Sequence, residues 1–196
     1  ALTKTFLAAT SALIIGTVYL INDRIVTQTT VKVVEEVSEI FDMSWLTLIK
    51  VKPGYQMTAK DVECLAKNIF FEAALEPTMG KYAVAQVTLN RLRTGYWGTT
   101  ICNVVYAPHQ FSWTDDPKKR DSRPGQGALK GENWDHSLAV ANDVADGRRV
   151  TGLKNALFYH ADYVKPIWRH PEHKVDVVGR HIFYNQARGT QFDLTQ

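Results

Sequence analysis

Cysteine is scarce: the 196 residues contain two, Cys64 and Cys102. They form no C-x-x-C pair and are too few for a structural zinc site, which leaves one disulfide in an oxidising compartment or two buried thiols. Charge imbalance is also slight. A formal net charge of +3 argues against a nucleic-acid partner and fits only mild attraction to anionic polymers or surfaces. The apolar run at residues 6–21, FLAATSALIIGTVYLI, falls short of the roughly 20 residues a spanning helix needs. It is diluted by Ala, Thr, Ser and Gly, and no clear small-x-small cleavage site follows it. Ala1 reads as a position exposed by initiator-Met removal, so the run is expected to be retained as a membrane-interacting or assembly segment. The remainder has an ordinary globular balance, 45% hydrophobic and 22% charged, enough for one domain with an appended segment.

Four stretches follow from the pattern. Residues 1–24 are an apolar N-terminal helix. Residues 25–54 comprise an amphipathic helix and a linker: Val34, Val37, Phe41, Trp45 and Leu48 recur at helical spacing with Lys32, Glu35, Glu36, Glu39 and Asp42 between them, and Val51-Lys52-Pro53-Gly54-Tyr55 breaks the run. Residues 55–188 are the main domain, and 189–196 a polar tail. Within the domain, Thr58 caps a helix, with Asp61 in its first turn, that stops before Pro77. A second helix, about residues 78–93, places Ala85, Leu89 and Leu92 on one face and ends at Gly95. A short helix or turn around Ile101–Tyr106 follows, then a long polar surface loop over 114–133. Asn133 or Asp135 caps a third helix running to about Asp146. The period then changes: ALFYH at 156–160 is β-prone, and Lys174–Val178 and His181–Asn185 flank a Gly179-Arg180 hairpin turn. Helices followed by a small antiparallel sheet predict an α+β fold.

The first helix carries the most informative carboxylate. On a helical wheel of about 100° per residue, Val62, Ala66, Ile69, Phe70 and Ala73 form an apolar arc with Leu65. Glu72 falls about 20° outside the edge of that arc, close to the angle of Leu65. A partly desolvated carboxyl there favours its neutral form, as a general acid at neutral pH requires. A helix-edge Glu paired with Lys or Arg has the same pattern. Glu76, Asp115 and Asp116 are the candidates for a second carboxylate, and none is compelling.

An ordered set of motifs narrows the choice. They are C-L-A-x-N-I-x-F-E-A from Cys64, E-P-x-x-G-x-x-A-V-A-x-V-x-L-N-R from Glu76, C-x-V-V-Y-x-P-x-Q-F-S-W from Cys102, and H-A-x-Y-V-x-P-x-W followed by G-x-H-I-F-Y from His160. Residues 62–186 thereby resemble the SleB/CwlJ-type cell-wall hydrolase family. The resemblance implies a lysozyme-like or lytic-transglycosylase-like α+β catalytic domain cleaving the N-acetylmuramic acid to N-acetylglucosamine bond of peptidoglycan. It also implies that Glu72 is a single catalytic acid that later acts as base, and that no cofactor is used. Glu76, Gln110, Ser112, His160 and Tyr163 become candidate substrate-binding residues, because short polar groups beside Phe111, Trp113, Tyr159 and Trp168 can hydrogen-bond a sugar while rings stack on it. Turn chemistry and core aromatics are the competing account. Asn90-Arg91 reads first as a structural hydrogen bond or ion pair and second as a substrate contact. Family members usually carry Arg-Gly after F-E-A, where this chain has Ala74-Leu75.

Two rivals follow from the same residues. His160, Asp162, His170, His173 and His181 could serve a zinc amidase or peptidase, although their spacing fits no compact zinc motif. A wall-binding or virion structural protein that has lost catalysis is the other. The expected partners are peptidoglycan strands, with membrane contact or homo-oligomeric or virion assembly through residues 1–50. The expected location is the periplasm or cell envelope, or a phage particle.

Overall fold

A computed structural model describes residues 48–50 and 54–186. The expected helices over 1–24 and 25–47, most of the linker and the 189–196 tail lie outside the described residues. Leu48–Lys50 form a short strand, β1, rather than the end of the expected amphipathic helix. Backbone pairing with β2, Arg148–Val150, holds them there: Leu48 lies opposite Val150 in an antiparallel ladder. Apolar spacing cannot anticipate a distant pairing of this kind.

Helix α1, Ala59–Ala73, begins where Thr58 and Asp61 cap each other. The Thr58 hydroxyl accepts the Asp61 N–H at 3.1 Å, and the Asp61 carboxylate accepts the Thr58 N–H at 3.1 Å, satisfying two amides that the first turn leaves unpaired. Leu65, Ala66 and Ile69 are fully buried. They pack against α2 (Thr78–Thr94), α3 (Ile101–Val105) and α5 (Glu132–Ala145). Cys64 on α1 and Cys102 on α3 form a disulfide with Cα atoms 5.3 Å apart, which settles the alternative that the sequence leaves open.

Helix α2 departs from the one-sided pattern expected of it. Every residue from Gly80 to Thr88 is buried, because α1, α3, α5 and β2 surround the helix. Its polar side chains must therefore find partners inside. Lys81 Nζ donates to the Ala74 and Glu76 carbonyls at 2.9 and 2.6 Å. The Thr88 hydroxyl accepts from Asn68 Nδ2 at 3.2 Å. Asn90 Nδ2 donates to the Leu153 and Ala156 carbonyls at 2.8 and 2.7 Å, while its oxygen accepts from Gln86. Asn90→Ala would strand both carbonyls in the core. It is expected to cost about 2 kcal/mol, read as a denaturation midpoint lower by about 4–8 °C in a domain of this size. The helix ends at Gly95, whose φ of 69° suits glycine.

The expected polar loop is short-range structure pinned from both sides. A 3-10 turn spans Ser112–Asp115 and a helical turn, α4, spans Pro117–Arg120. Lys67 Nζ reaches up from α1 to the Arg120 and Ser122 carbonyls at 2.7 and 3.0 Å, and Leu129 plugs the core. Helix α5 starts before either expected cap, with Gly131 rather than Asn133 or Asp135 at the cap position.

The final sheet has the order β3-β5-β4 with all pairs antiparallel: β3 is Phe158–Ala161, β4 Lys174–Val178 and β5 His181–Tyr184. Gly179, with φ of 58°, makes the β4–β5 turn. The architecture is α+β, with β3 as an edge strand beside the helices.

Candidate active site

Glu72 sits in the last turn of α1, two turns beyond the fully buried Leu65, so its side chain leaves the helix from the covered side. Its Oε2 accepts the Tyr159 hydroxyl at 2.9 Å. Burial raises the Glu72 pKa above the usual carboxylate value. The Tyr159 hydrogen bond and the positive charges of Arg91 and Lys119 pull the other way without cancelling it. Burial also pushes the Tyr159 phenol well above its ordinary value, so it remains a donor.

Glu72 lines a cleft of about 540 Å³ together with Arg91, Gln110, Ser112, Asp115 and Trp168 among others. The segment 110–113 is fastened to α1 by its tryptophan. Trp113 Nε1 donates to Asn68 Oδ1 at 2.9 Å, and its indole stacks on Phe71 with ring centres 4.7 Å apart. Those two contacts set Gln110 and Ser112 in the wall of the cleft that holds Glu72. Asp115 and His109, both in the same wall, face each other at 3.6 Å. On the other side, edge strand β3 contributes Phe158 and Tyr159, and Trp168 lies beside Phe158 at 5.8 Å.

Of the six site residues expected from the sequence, the structure brings together Glu72, Gln110 and Ser112. The other three lie elsewhere. Glu76 accepts the Arg180 backbone N–H at 2.9 Å and braces the β4–β5 turn; a Cβ at Gly179 would run into its carboxylate. His160 is buried and stacks on Tyr184 at 5.4 Å. Its Nδ1 faces the Ala161 carbonyl at 2.8 Å, so that nitrogen carries the hydrogen and Nε2 accepts from the Tyr184 hydroxyl at 3.1 Å. Tyr163 is exposed, with the Arg180 guanidinium 5.2 Å from its ring centre. For His160 the physical reason is strand alternation: neighbours on β3 point to opposite faces, and Tyr159 rather than His160 takes the face toward α1.

Arg91, Tyr159 and Trp168 are the cleft residues whose role the sequence understated. Asn90 is the structural half of its pair. Arg91 Nε donates to the Leu157 carbonyl at 2.8 Å, yet the side chain also lines the cleft. Of the histidines named as zinc ligands, His170 pairs with Glu172 and His160 with Tyr184. Among the described residues, no three His, Cys, Asp or Glu side chains are placed to share a metal ion.

A recessed carboxyl with its pKa raised by burial, beside polar groups and flat aromatic walls, suits a substrate whose leaving oxygen needs protonation and whose rings have apolar faces. Comparison with known proteins points the same way. The chain is 29% identical over 136 residues to a spore cortex-lytic enzyme of Oceanobacillus iheyensis, covering 69% of this chain and 44% of that protein. It is 32% identical over 136 residues to a spore cortex-lytic enzyme of Bacillus cereus, covering 68% and 46%. The chain thus spans less than half the length of these relatives. The fold is similar to the catalytic domain of the Bacillus cereus SleB protein, with TM-score 0.52 and 27% identity over 67% of this chain and 94% of that one. It is also similar to the catalytic domain of the germination-specific lytic transglycosylase SleB of Bacillus anthracis, with TM-score 0.53 and 27% identity over 68% and 99%. Residues 75–184 match the Cell Wall Hydrolase family, a stretch that begins just after Glu72. With that match over more than half its length, the chain belongs to the cell wall hydrolase family.

Proposed function

We propose that this chain cuts the glycan strands of peptidoglycan between N-acetylmuramic acid and N-acetylglucosamine, as a lytic transglycosylase with Glu72 as acid and then base. The observation that carries this reading is the recessed Glu72 carboxyl, whose neutral form burial favours and which accepts the Tyr159 hydroxyl at one side of an aromatic-walled cleft. Glu72 gives its proton to the glycosidic oxygen as the C1–O bond breaks and the downstream sugar leaves as an alcohol. The carboxylate then takes the proton of the muramyl 6-hydroxyl while that oxygen bonds to C1, closing a 1,6-anhydro ring without consuming water. Gln110 and Ser112 are assigned to hydrogen bonds with the sugar, Phe158 and Trp168 to its flat faces. Glu76, His160 and Tyr163 are assigned to support of the sheet that carries Tyr159.

A hydrolytic variant has one specific observation in its favour: Asp115 shares the cleft with Glu72 and could activate a water. Mass spectrometry of digested peptidoglycan separates the two. Anhydro-muramyl ends are expected. Reducing muramyl ends would transfer the second step to water, and cut peptides with intact glycans would overturn both readings. Residues 1–24 are assigned to membrane contact or assembly, which predicts that the whole chain floats with lipid vesicles or sediments as an oligomer while residues 47–196 do neither.

A further inference from the structure

Arg91 is anomalous as a structural residue. It is only 5% exposed. Three aromatic rings enclose its guanidinium: Phe111 at 4.9 Å, Trp97 at 5.1 Å and Phe158 at 5.7 Å from ring centre to Cζ. Nε donates to the Leu157 carbonyl, but Nη1 is buried and has no hydrogen-bond partner among the described residues. A cation stripped of water and left with an unused donor is costly, and folds rarely retain one without a use for it. Burial pulls its pKa down to about 10, which leaves it charged at neutral pH, and the Tyr159 and Glu72 side chains act to hold the charge in place. Arg91 lines the same cleft as Glu72.

We infer that Arg91 is a positioning residue for Glu72: its guanidinium, fixed among three rings in the wall of the same cleft, is a standing positive charge that acts on the Glu72 carboxylate formed once the proton has passed to the glycan. This deepens the reading of Glu72 as acid and base, and rests on it. In the resting enzyme the Glu72 carboxyl accepts the Tyr159 hydroxyl. Once the glycosidic oxygen has taken the proton, a full negative charge appears in a place with little water. The fixed guanidinium then stabilises that charge without reorganising. The same charge keeps Glu72 from being so basic that it retakes the proton before the 6-hydroxyl is in place.

The groups acting on Glu72 come from several elements: Arg91 on α2, Tyr159 on β3 and Lys119 on α4, with His109 and Asp115 in the cleft wall. Arg91 is the only one of the three cationic or ionisable residues Arg91, Lys119 and His109 that is buried; the other two are exposed. The test is a carboxyl-carbon NMR titration of Glu72 alongside the pH profile of glycan cleavage, in wild type, Arg91→Gln and Arg91→Lys. Arg91→Gln is expected to move the Glu72 midpoint and the basic limb of the profile up by about one pH unit, while turnover at the optimum falls about tenfold. Arg91→Lys keeps the charge and is expected to restore most of both. A merely structural arginine would lower activity at all pH values and leave the limb in place. A folded Arg91→Gln protein with an unmoved Glu72 midpoint overturns the inference. If that variant does not fold, the wild type still decides. Its Arg91 side-chain nitrogen resonances must shift with the Glu72 midpoint and stop shifting in Glu72→Gln; a flat response overturns the inference. Full activity in Glu72→Gln would instead overturn the reading on which it rests.

Discussion

Glu72→Gln is expected to reduce peptidoglycan cleavage by about 10³-fold or more, the scale of losing a positioned acid that also serves as base, while leaving binding to intact peptidoglycan within about threefold, because the amide is isosteric with the carboxyl it replaces. The amide oxygen can still accept the Tyr159 hydroxyl, so the cleft keeps its shape. The same substitution has a second signature in stability. Burial raises the Glu72 pKa in the folded chain, so between the ordinary glutamate pKa and that raised value the folded state holds a proton the unfolded state has lost. Stability contributed by this group is therefore full below the ordinary value and is lost as pH rises through the folded one. Gln carries no such liability. The variant should melt above wild type at neutral and alkaline pH, with the difference closing below the ordinary glutamate range. Turbidity clearance of purified walls, co-sedimentation with them, and melting curves at two pH values read all three effects. Equal clearance by both proteins would remove Glu72 from the mechanism; a variant that no longer binds would make its role architectural.

How far the sequence foretells these features depends on whether the deciding contacts are local. Helix α1 is legible from Thr58, Asp61 and the Leu65–Ile69 spacing because a cap and an apolar stripe are properties of one segment. The β4–β5 hairpin is legible from Gly179 for the same reason. Strand β1 is not: three residues continuing an apolar pattern become a strand only through pairing with β2, a hundred residues away in the chain. The disulfide sits between these cases, since two cysteines allow the bridge but only packing of α1 on α3 brings them together.

The site divides along the same line. The angle of Glu72 on its helix can be computed from the sequence, and Gln110 and Ser112 lie close to Trp113, whose indole anchors them on α1. Which of Tyr159 and His160 faces that helix is a matter of which face of β3 turns inward, and alternation alone leaves both open. Arg91 is concealed differently. An arginine beside Asn90 reads first as a structural hydrogen bond or ion pair, and only the folded chain shows it buried in the cleft wall. At Ala74-Leu75 the turn after α1 is gripped by Lys81 through the Ala74 and Glu76 carbonyls, and Leu75 itself is 91% exposed. Nothing in the structure explains why leucine occupies that position.

The largest stability effect is expected from the Cys64–Cys102 bridge, which closes a loop of 38 residues between α1 and α3. In the chain-entropy account, removing a cross-link of that span costs about 3–4 kcal/mol, or a denaturation midpoint lower by about 10 °C. The paired Cys64→Ser, Cys102→Ser protein should nevertheless remain folded at room temperature, because the bridge is not the sole tie at this corner. Asp61 accepts the Cys102 N–H at 3.4 Å and the Tyr55 hydroxyl at 3.0 Å, and Leu65, Ile69, Ile101 and Val105 are fully buried around it. Glu72 lies two turns along α1 on a stretch held chiefly by α5, so cleavage below the melting range should stay within about twofold of wild type. Reductant should act in the same direction, with thiolate attack directed to the partly exposed Cys102 sulfur because Cys64 is 1% exposed. Melting curves of oxidised, reduced and double-serine protein measure the effect. A loss below about 1 kcal/mol would mean that the unfolded chain is already compact enough for the bridge to constrain little. A loss of folding at room temperature would make the bridge a condition of the fold, confining the active chain to compartments that oxidise cysteine.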